Sequence, residues 1–207
     1  MRPWMYAHLY KKGAPWERHG IGDELIALVE QGRLDPGTHP RVLDFGCGSG
    51  ATSVYLAERG FDVLGVDFTP IALERAHARA SGAGLNGRCR FTHGDLARPH
   101  IDGVDDEAPY DLIVDYSTID DAPGPRRLAM ARTVRRLTRP GSLFFLWCFS
   151  ARKRDLPLIA RGRISRLLHT VMRPGEEHDL FADLFTIDPI PVGPRPPHAA
   201  CFLMTRR

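Results

Sequence analysis

The segment RVLDFGCGSG, residues 41–50, constrains the fold more than any other part of the chain. An apolar run contains one acid, and glycine then occupies every second position, at Gly46, Gly48 and Gly50. Glycine allows unusual backbone angles and lets a ligand approach the main chain closely. The pattern therefore predicts a buried strand, a ligand-binding turn and then a helix.

Strand-like and helix-like segments alternate after this turn. Helical patterns cover 51–59, 71–80 and 126–139, and strand patterns cover 61–67, 88–95, 110–117 and 142–149. Such alternation predicts βαβ crossovers, and hence a parallel sheet with helices on both faces. The remaining segments are predicted as helices over 151–170 and 176–185, and as strands over 185–190 and 199–204.

The length of 207 residues suits a single domain over 1–207. Within it we expect an N-terminal helical lid (1–40), a cofactor-binding core (41–149), and a substrate-side segment with a terminal strand pair (150–207). The first residues lack the apolar stretch of a secretory signal. No apolar run approaches membrane-spanning length, so we expect a cytoplasmic protein without a membrane segment.

Charge and cysteine content narrow the class of partner. Lys and Arg (28) nearly balance Asp and Glu (25), giving a net charge of +3, so binding to nucleic acid is not expected. The histidines and cysteines lack metal-ligand spacing, which predicts no metal site. The four cysteines are interpreted as reduced, packed thiols: Cys47, Cys89, Cys148 and Cys201.

Two cofactor classes use a glycine turn at this place. A dinucleotide fold requires G-x-G-x-x-G, whereas the chain has G-x-G-x-G followed by Ala51. Because alanine is tolerated at the third position of the dinucleotide pattern, the glycines alone leave both classes open.

Acids at the ends of four predicted strands favour one of the two classes. Asp67 ends the second strand, where a carboxylate can accept hydrogen bonds from ribose hydroxyls. A set of carboxylates suits a ligand with sulfonium and ammonium charges and repels a pyrophosphate. The four acids are Asp44, Asp67, Asp95 and Asp115.

These motifs together resemble a known family. VLDFGCGSG, VLGVD, FTHGD and YDLIVDYS occur in the order and spacing of the class I S-adenosylmethionine-dependent methyltransferases. PWERHG is similar to the entry segment of their small-molecule thiopurine and tellurite members. The resemblance implies a Rossmann-like three-layer α/β sandwich, with a mostly parallel seven-stranded sheet and an antiparallel last strand.

The resemblance also implies S-adenosylmethionine as cofactor and assigns its contacts. The glycines would surround the methionine part, Asp67 the ribose, and Asp95 with Leu96 the adenine. Asp115 would lie near the methyl group, and Trp16 would cover the cofactor from the lid. The full set of expected cofactor-binding residues is Trp16, Asp44, Gly46, Cys47, Gly48, Gly50, Asp67, Phe68, Asp95, Leu96 and Asp115.

The expected activity is methyl transfer to a small-molecule acceptor by in-line displacement. A general base is needed only if the acceptor must lose a proton, and its identity stays open among His19, His93 and Tyr116. The acceptor pocket is expected between the N-terminal segment, the loop after Asp115, and residues 149–172. Three alternatives remain: a binder or cyclase-like catalyst of the same fold, an RNA or protein methyltransferase, and a nicotinamide-dependent oxidoreductase.

Overall fold

The computed structural model describes residues 3–18, 20–155, 171–193 and 197–207. Short 3-10 turns cover Pro15–Arg18, Asp105–Glu107 and Lys153–Asp155. The helices are α1 (Pro3–Lys12), α2 (Asp23–Glu30), α3 (Ala51–Glu58), α4 (Pro70–Gly82), α5 (Gly124–Arg136) and α6 (Glu176–Phe181). The strands are β1 (Arg41–Phe45), β2 (Asp62–Asp67), β3 (Cys89–His93), β4 (Tyr110–Tyr116), β5 (Thr138–Phe149), β6 (Phe185–Ile190) and β7 (Ala199–Arg206).

The described strands form one sheet in the order β3-β2-β1-β4-β5-β7-β6. The first five pair in parallel, and β7 runs antiparallel to both β5 and β6. This arrangement confirms the predicted Rossmann-like fold class. Because the chain reverses strand order between β3 and β4, the carboxyl ends of β1 and β4 meet at the switch point where α/β folds bind ligands.

Apolar side chains alternate between the two faces of the sheet, as a strand covered on both sides requires. In β5, Phe145 and Trp147 belong to one core cluster, whereas Phe144 and Leu146 belong to the other. Helices α2 and α3 cover the first face, and α5 and α6 cover the second. The sheet is therefore packed against a hydrophobic core on each of its two faces.

Several predicted boundaries move. Helix α5 ends at Arg136 rather than 139, because Thr138 already pairs with Tyr110 and begins β5 four residues before the prediction. Helix α6 ends at Phe181 rather than 185. Of the predicted helix over 151–170, the part from 156 to 170 lies outside the described residues, and Lys153–Asp155 forms a 3-10 turn.

Candidate active site

The glycine loop joins β1 to α3 and is fixed to the neighbouring strand. The main-chain N–H groups of Gly46 and Cys47 donate to the carbonyl of Val66, at 2.9 and 3.0 Å. Gly46 has a φ of +86°. A Cβ at that position would lie 2.3 Å from Thr118 Oγ1, so the loop after β4 packs directly on the glycine loop. Only glycine satisfies both the backbone angle and this close approach.

Asp67 connects the end of β2 to the glycine loop. Its Oδ2 accepts the N–H of Gly48 at 3.0 Å, and its Oδ1 accepts the N–H of Thr69 at 2.7 Å. Asp67 is buried, and this burial raises its pKa despite the two hydrogen bonds. Each carboxylate oxygen can accept a further hydrogen bond, so a diol arriving at this edge would find an acceptor already held in place.

Asp44 lies behind the glycine loop rather than on its open side. It is 3% exposed, and the hydroxyl of Ser53 in α3 donates to its Oδ2 at 2.5 Å. Burial is the main cause that raises the pKa of Asp44 to about 7, and the nearby Asp67 adds to it. Asp44 therefore secures α3 to β1 at the base of the loop.

The pKa of Asp44 predicts a pH dependence of stability. Between the ordinary pKa of 3.8 and the folded pKa of about 7, the folded state holds more protons than the unfolded state. The free energy of unfolding therefore falls as pH rises through this window, by at most ~1.4 kcal/mol per pH unit for this group. Asp44→Asn should have a shallower slope, measured by urea denaturation across the window. Equal slopes in variant and wild type would contradict this assignment.

Tyr10 of α1 faces the glycine loop from the N-terminal side. A Cβ on Gly48 would lie 2.5 Å from Tyr10 Oη, and Tyr10 is buried. Burial, aided by the charge of Asp67, raises the pKa of Tyr10, so the hydroxyl keeps its proton. Tyr10 could not be identified from the sequence, because nothing in the pattern of α1 distinguishes it.

Trp16 reaches the loop through Tyr10. Its Nε1 donates to Tyr10 Oη at 3.2 Å, and its ring centroid lies 5.9 Å from that of Tyr6. Tyr6 meets Phe68 edge-on at 5.4 Å. We call Tyr6, Tyr10, Trp16 and Phe68 the aromatic lid. Trp16 itself is 40% exposed, and Tyr10 is the lid residue whose contact with the loop is direct.

Asp95 follows β3 and is paired with an arginine of α5. Arg126 donates to both carboxylate oxygens, at 3.1 and 2.5 Å, and the N–H of Ala97 donates to Oδ1 at 3.0 Å. Burial opposes these interactions, but the Arg126 hydrogen bonds prevail and lower the pKa of Asp95. Leu96 is buried in the core cluster on the α5 face.

Asp115 closes β4 and organises the loop that follows it. It is fully buried, and its carboxylate accepts the N–H groups of Thr118 at 2.8 Å and Ile119 at 3.1 Å. Burial raises its pKa well above the ordinary value. Asp115 therefore shapes the turn that packs on Gly46.

Two of the three candidate bases lie within the described residues. His93 is exposed at the end of β3, with its Nε2 3.2 Å from the carbonyl of Phe68. Tyr116 stacks on Trp147 at 4.7 Å, and burial raises its pKa, so it holds its proton at neutral pH. His19 lies outside the described residues.

Comparison with known proteins decides the family. A family profile described as a methyltransferase domain matches residues 42–141. Over 176 residues the chain is 30% identical to the 2-heptyl-1-hydroxyquinolin-4(1H)-one methyltransferase of Mycobacteroides abscessus, covering 85% of this chain and 70% of that protein. The chain belongs to the class I S-adenosylmethionine-dependent methyltransferases. It spans about half the length of further curated relatives.

Solved structures show the same fold. One, from work on the conversion of a disulfide bond into a thioacetal group during echinomycin biosynthesis, has a TM-score of 0.73 at 23% identity. The aligned region covers 99% of this methyltransferase and 93% of the other chain. A TehB-like S-adenosylmethionine-dependent methyltransferase from Corynebacterium glutamicum has a TM-score of 0.62 at 18% identity, covering 99% and 95%. The tellurite-type likeness is thus a likeness of fold.

The described parts of this methyltransferase hold neither a metal-ligand cluster nor a membrane-spanning helix. Among those residues, no three His, Cys, Asp or Glu side chains are grouped so that they could hold a metal ion. Within the same residues, no helix combines the length and apolar character needed to cross a membrane. All four cysteines are buried free thiols.

Arg75 of α4 fastens the aromatic lid of the methyltransferase. It donates to the carbonyl of Tyr10 at 2.7 Å and to Glu17 Oε2 at 2.8 Å. Arg75→Ala should weaken S-adenosylhomocysteine binding by about tenfold, the equivalent of one charge-assisted hydrogen bond. Isothermal titration calorimetry would measure this change, with Arg59→Ala, directly after the C-terminal end of α3, as control. Unchanged affinity in Arg75→Ala would show that the lid does not contribute to binding.

Proposed function

We propose that this methyltransferase transfers the methyl group of S-adenosylmethionine to a small organic acceptor. The observation that carries the proposal is the junction at Asp67, which holds the end of β2 and the N–H of Gly48 together. In S-adenosylmethionine the ribose is joined to the amino-acid part, so the ribose can bind at Asp67 while the amino-acid part lies along the glycine loop. The family membership supplies the reaction class.

The proposed contacts follow from the positions in the sheet. Asp67 accepts hydrogen bonds from the ribose hydroxyls, and the glycine loop lies along the methionine part. Asp95 contacts the adenine edge with the carboxylate held by Arg126. Asp44 and Asp115 act from behind this surface, since Asp44 is bonded to Ser53 of α3 and Asp115 holds the turn after β4. Cys47 and Leu96 belong to the core clusters on the two faces of the sheet. Trp16 and Phe68 contribute through the aromatic lid, where Tyr10 makes the direct contact with the loop.

The sulfonium supplies an already activated methyl group, so the chain needs little covalent chemistry of its own. What the residues provide is alignment of the acceptor with the methyl group and exclusion of water. The aromatic lid covers one side of the glycine loop, and the loop after β4 covers another. The proposed acceptor site lies beyond the carboxyl ends of β4 and β5, where Tyr116, Trp147 and Phe149 form an aromatic wall.

A small acceptor is favoured over RNA by the pairing of the arginines in α5. The helix carries five arginines, and four of these side chains are each paired with an acid. The ion pairs are Arg126 with Asp95, Arg127 with Glu176, Arg135 with Asp183, and Arg136 with Asp105. Guanidinium groups engaged in this way are poorly available to a phosphate backbone.

We propose that residues 1–207 form one domain. The N-terminal helical lid (1–40) and the substrate-side segment (150–207) are parts of that domain.

The test combines binding with product detection. Purified protein is titrated calorimetrically with S-adenosylhomocysteine and, separately, with NADH. It is then incubated with S-adenosylmethionine and 2-heptyl-1-hydroxyquinolin-4(1H)-one, and mass spectrometry looks for the methylated product. Binding of S-adenosylhomocysteine alone, together with a product heavier by one methylene, supports the proposal. Tight binding without transfer to this or any hydroxylated aromatic probe would favour a non-transferring binder, and NADH binding would favour an oxidoreductase.

A further inference from the structure

Ser117, directly after β4, has an unusual backbone conformation. Its φ is +63°, in the left-handed region that most residues other than glycine, asparagine and aspartate avoid. Its N–H donates to the carbonyl of Trp147 at 2.8 Å, so the conformation is fixed by the neighbouring strand. Strained residues of this kind concentrate at functional sites. Glycine would adopt this backbone conformation at lower cost, so a role for the serine hydroxyl would explain why a serine stands here.

The hydroxyl of Ser117 contacts a buried acid. Ser117 Oγ donates to Asp120 Oδ2 at 3.3 Å, and the same oxygen accepts the N–H of Phe149 at 3.0 Å. Asp120 is 1% exposed, whereas Ser117 is half-buried. Ser117 is therefore the member of the pair that a molecule outside the loop can reach, and Asp120 is the member that can keep a proton away from water.

The pair lies where donor and acceptor would meet. Thr118, the next residue, packs on Gly46 of the glycine loop. On the other side, Ser117 follows Tyr116 of the aromatic wall, and Asp120 is hydrogen-bonded to Phe149 at the end of β5. Ser117 thus stands at the contact between the proposed methionine side and the proposed acceptor side.

We propose that Ser117 and Asp120 form a proton relay that activates a hydroxyl-bearing acceptor, an inference that rests on the function proposed above. The acceptor O–H bond breaks and its proton passes to Ser117 Oγ, while the proton of Ser117 passes to Asp120 Oδ2. The acceptor oxygen bonds to the methyl carbon as the methyl–sulfur bond breaks, and that electron pair stays on sulfur. After the product leaves, the proton passes from Asp120 back through Ser117 Oγ to solvent.

The charges around Asp120 are compatible with a base that works near neutrality. Burial raises the pKa of Asp120 to about 6. The Phe149 N–H, the Arg127 guanidinium and the hydrogen bond from Ser117 oppose this rise.

Among the described residues, three ionisable groups face Asp120. They are Asp115 on β4, Arg127 on α5, and Cys148 on β5, whose own pKa is raised by burial. Arg127 is in turn paired with Glu176. A carboxylate with this pKa is ionised, yet basic enough to accept a proton.

The first experiment measures transfer to 2-heptyl-1-hydroxyquinolin-4(1H)-one as a function of pH. Asp120→Asn and Ser117→Ala should each lower kcat by about 100-fold, and the fall of kcat/KM below about pH 6 should vanish in Asp120→Asn. Asp183→Asn, an exposed acid paired with Arg135, is the matched control and should behave as wild type. S-adenosylhomocysteine binding should be unchanged in all three variants, which separates a lost relay from a lost cofactor site.

Ser117→Gly distinguishes the relay from a purely structural hydrogen bond. It removes the hydroxyl and also the strained side chain, so it should be at least as stable to urea as wild type while remaining as inactive as Ser117→Ala. Full activity in Ser117→Gly, or an unchanged pH profile in Asp120→Asn, would overturn the relay while leaving methyl transfer intact.

A second readout needs no acceptor. In protein labelled with carbon-13 at the aspartate carboxyls, the resonance that disappears in Asp120→Asn should titrate with a midpoint near pH 6. The midpoint should rise in Ser117→Ala, because that variant loses a hydrogen bond to the ionised form. A carboxyl that shows no titration between about pH 5 and about pH 8 would refute the relay, whichever acceptor the enzyme uses.

Discussion

Asp67→Ala should weaken the binding of S-adenosylhomocysteine by about 100-fold, an effect of ~3 kcal/mol. The substitution removes the proposed acceptor for the ribose hydroxyls. It also releases the N–H of Gly48 and the N–H of Thr69, which Asp67 holds at 3.0 and 2.7 Å. The glycine loop would then have to be ordered by the ligand itself, which costs binding free energy. Calorimetric titration measures the change directly.

The matched control lies on the same strand. Asp62 is the first residue of β2, at the opposite end of the strand from Asp67. Its side chain is half exposed and pairs with Arg90. Asp62→Ala removes a carboxylate of the same type from β2 but leaves the glycine loop untouched, so its affinity should equal that of wild type. If Asp67→Ala bound S-adenosylhomocysteine as tightly as Asp62→Ala, the ribose assignment would be wrong.

Gly50→Ala should lower the free energy of unfolding by about 3 kcal/mol and abolish cofactor binding. Gly50 caps the start of α3 with a φ of +76°. A Cβ there would lie 2.9 Å from the Cβ of Ala76 and 2.9 Å from Phe91, with the backbone of Ala76 at 3.1 Å. A backbone atom cannot rotate away, so α3 or α4 must shift and the loop must deform with it.

Gly84 separates the two causes. It has a φ of +70°, and a Cβ there would meet nothing within 4 Å. Gly84→Ala should therefore show the backbone cost alone, about 1 kcal/mol, with cofactor affinity unchanged. Urea denaturation of both variants gives the comparison. Equal destabilisation in the two would mean that the contact with α4 is relieved at no cost.

The sequence predicted the fold well because its signals are local. The glycine turn, the apolar strands and the proline at the start of α4 each reveal their structure within a few residues. The boundary between α5 and β5 was misplaced because the pairing of Thr138 with Tyr110 depends on a partner far along the chain. Pro140 and Gly141 look like a helix stop, yet both lie within β5, where its pairing with β4 shifts register.

The site was predictable only in part, for the same reason. Asp67 could be found because it ends a strand next to the glycine turn. The partnership of Asp95 with Arg126 joins residues 31 positions apart, and a basic run in a helix does not reveal its partners. Tyr10 acquires its place only when α1 packs on α4, where Arg75 holds its carbonyl. Ser117 has no sequence signature, since its backbone angle is imposed by the neighbouring strand.

The position of β7 has a consequence for the order in which the molecule is made. Strand β7 lies between β5 and β6 and pairs with both, although it follows them in the chain. During synthesis, β5 therefore carries an open edge of unpaired main-chain groups until β7 emerges from the ribosome. That edge includes the stretch from Leu143 to Phe149, among the most apolar in the sequence. The newly made chain is thus most exposed to aggregation in this interval, and a chaperone that holds it then should raise the yield of folded protein.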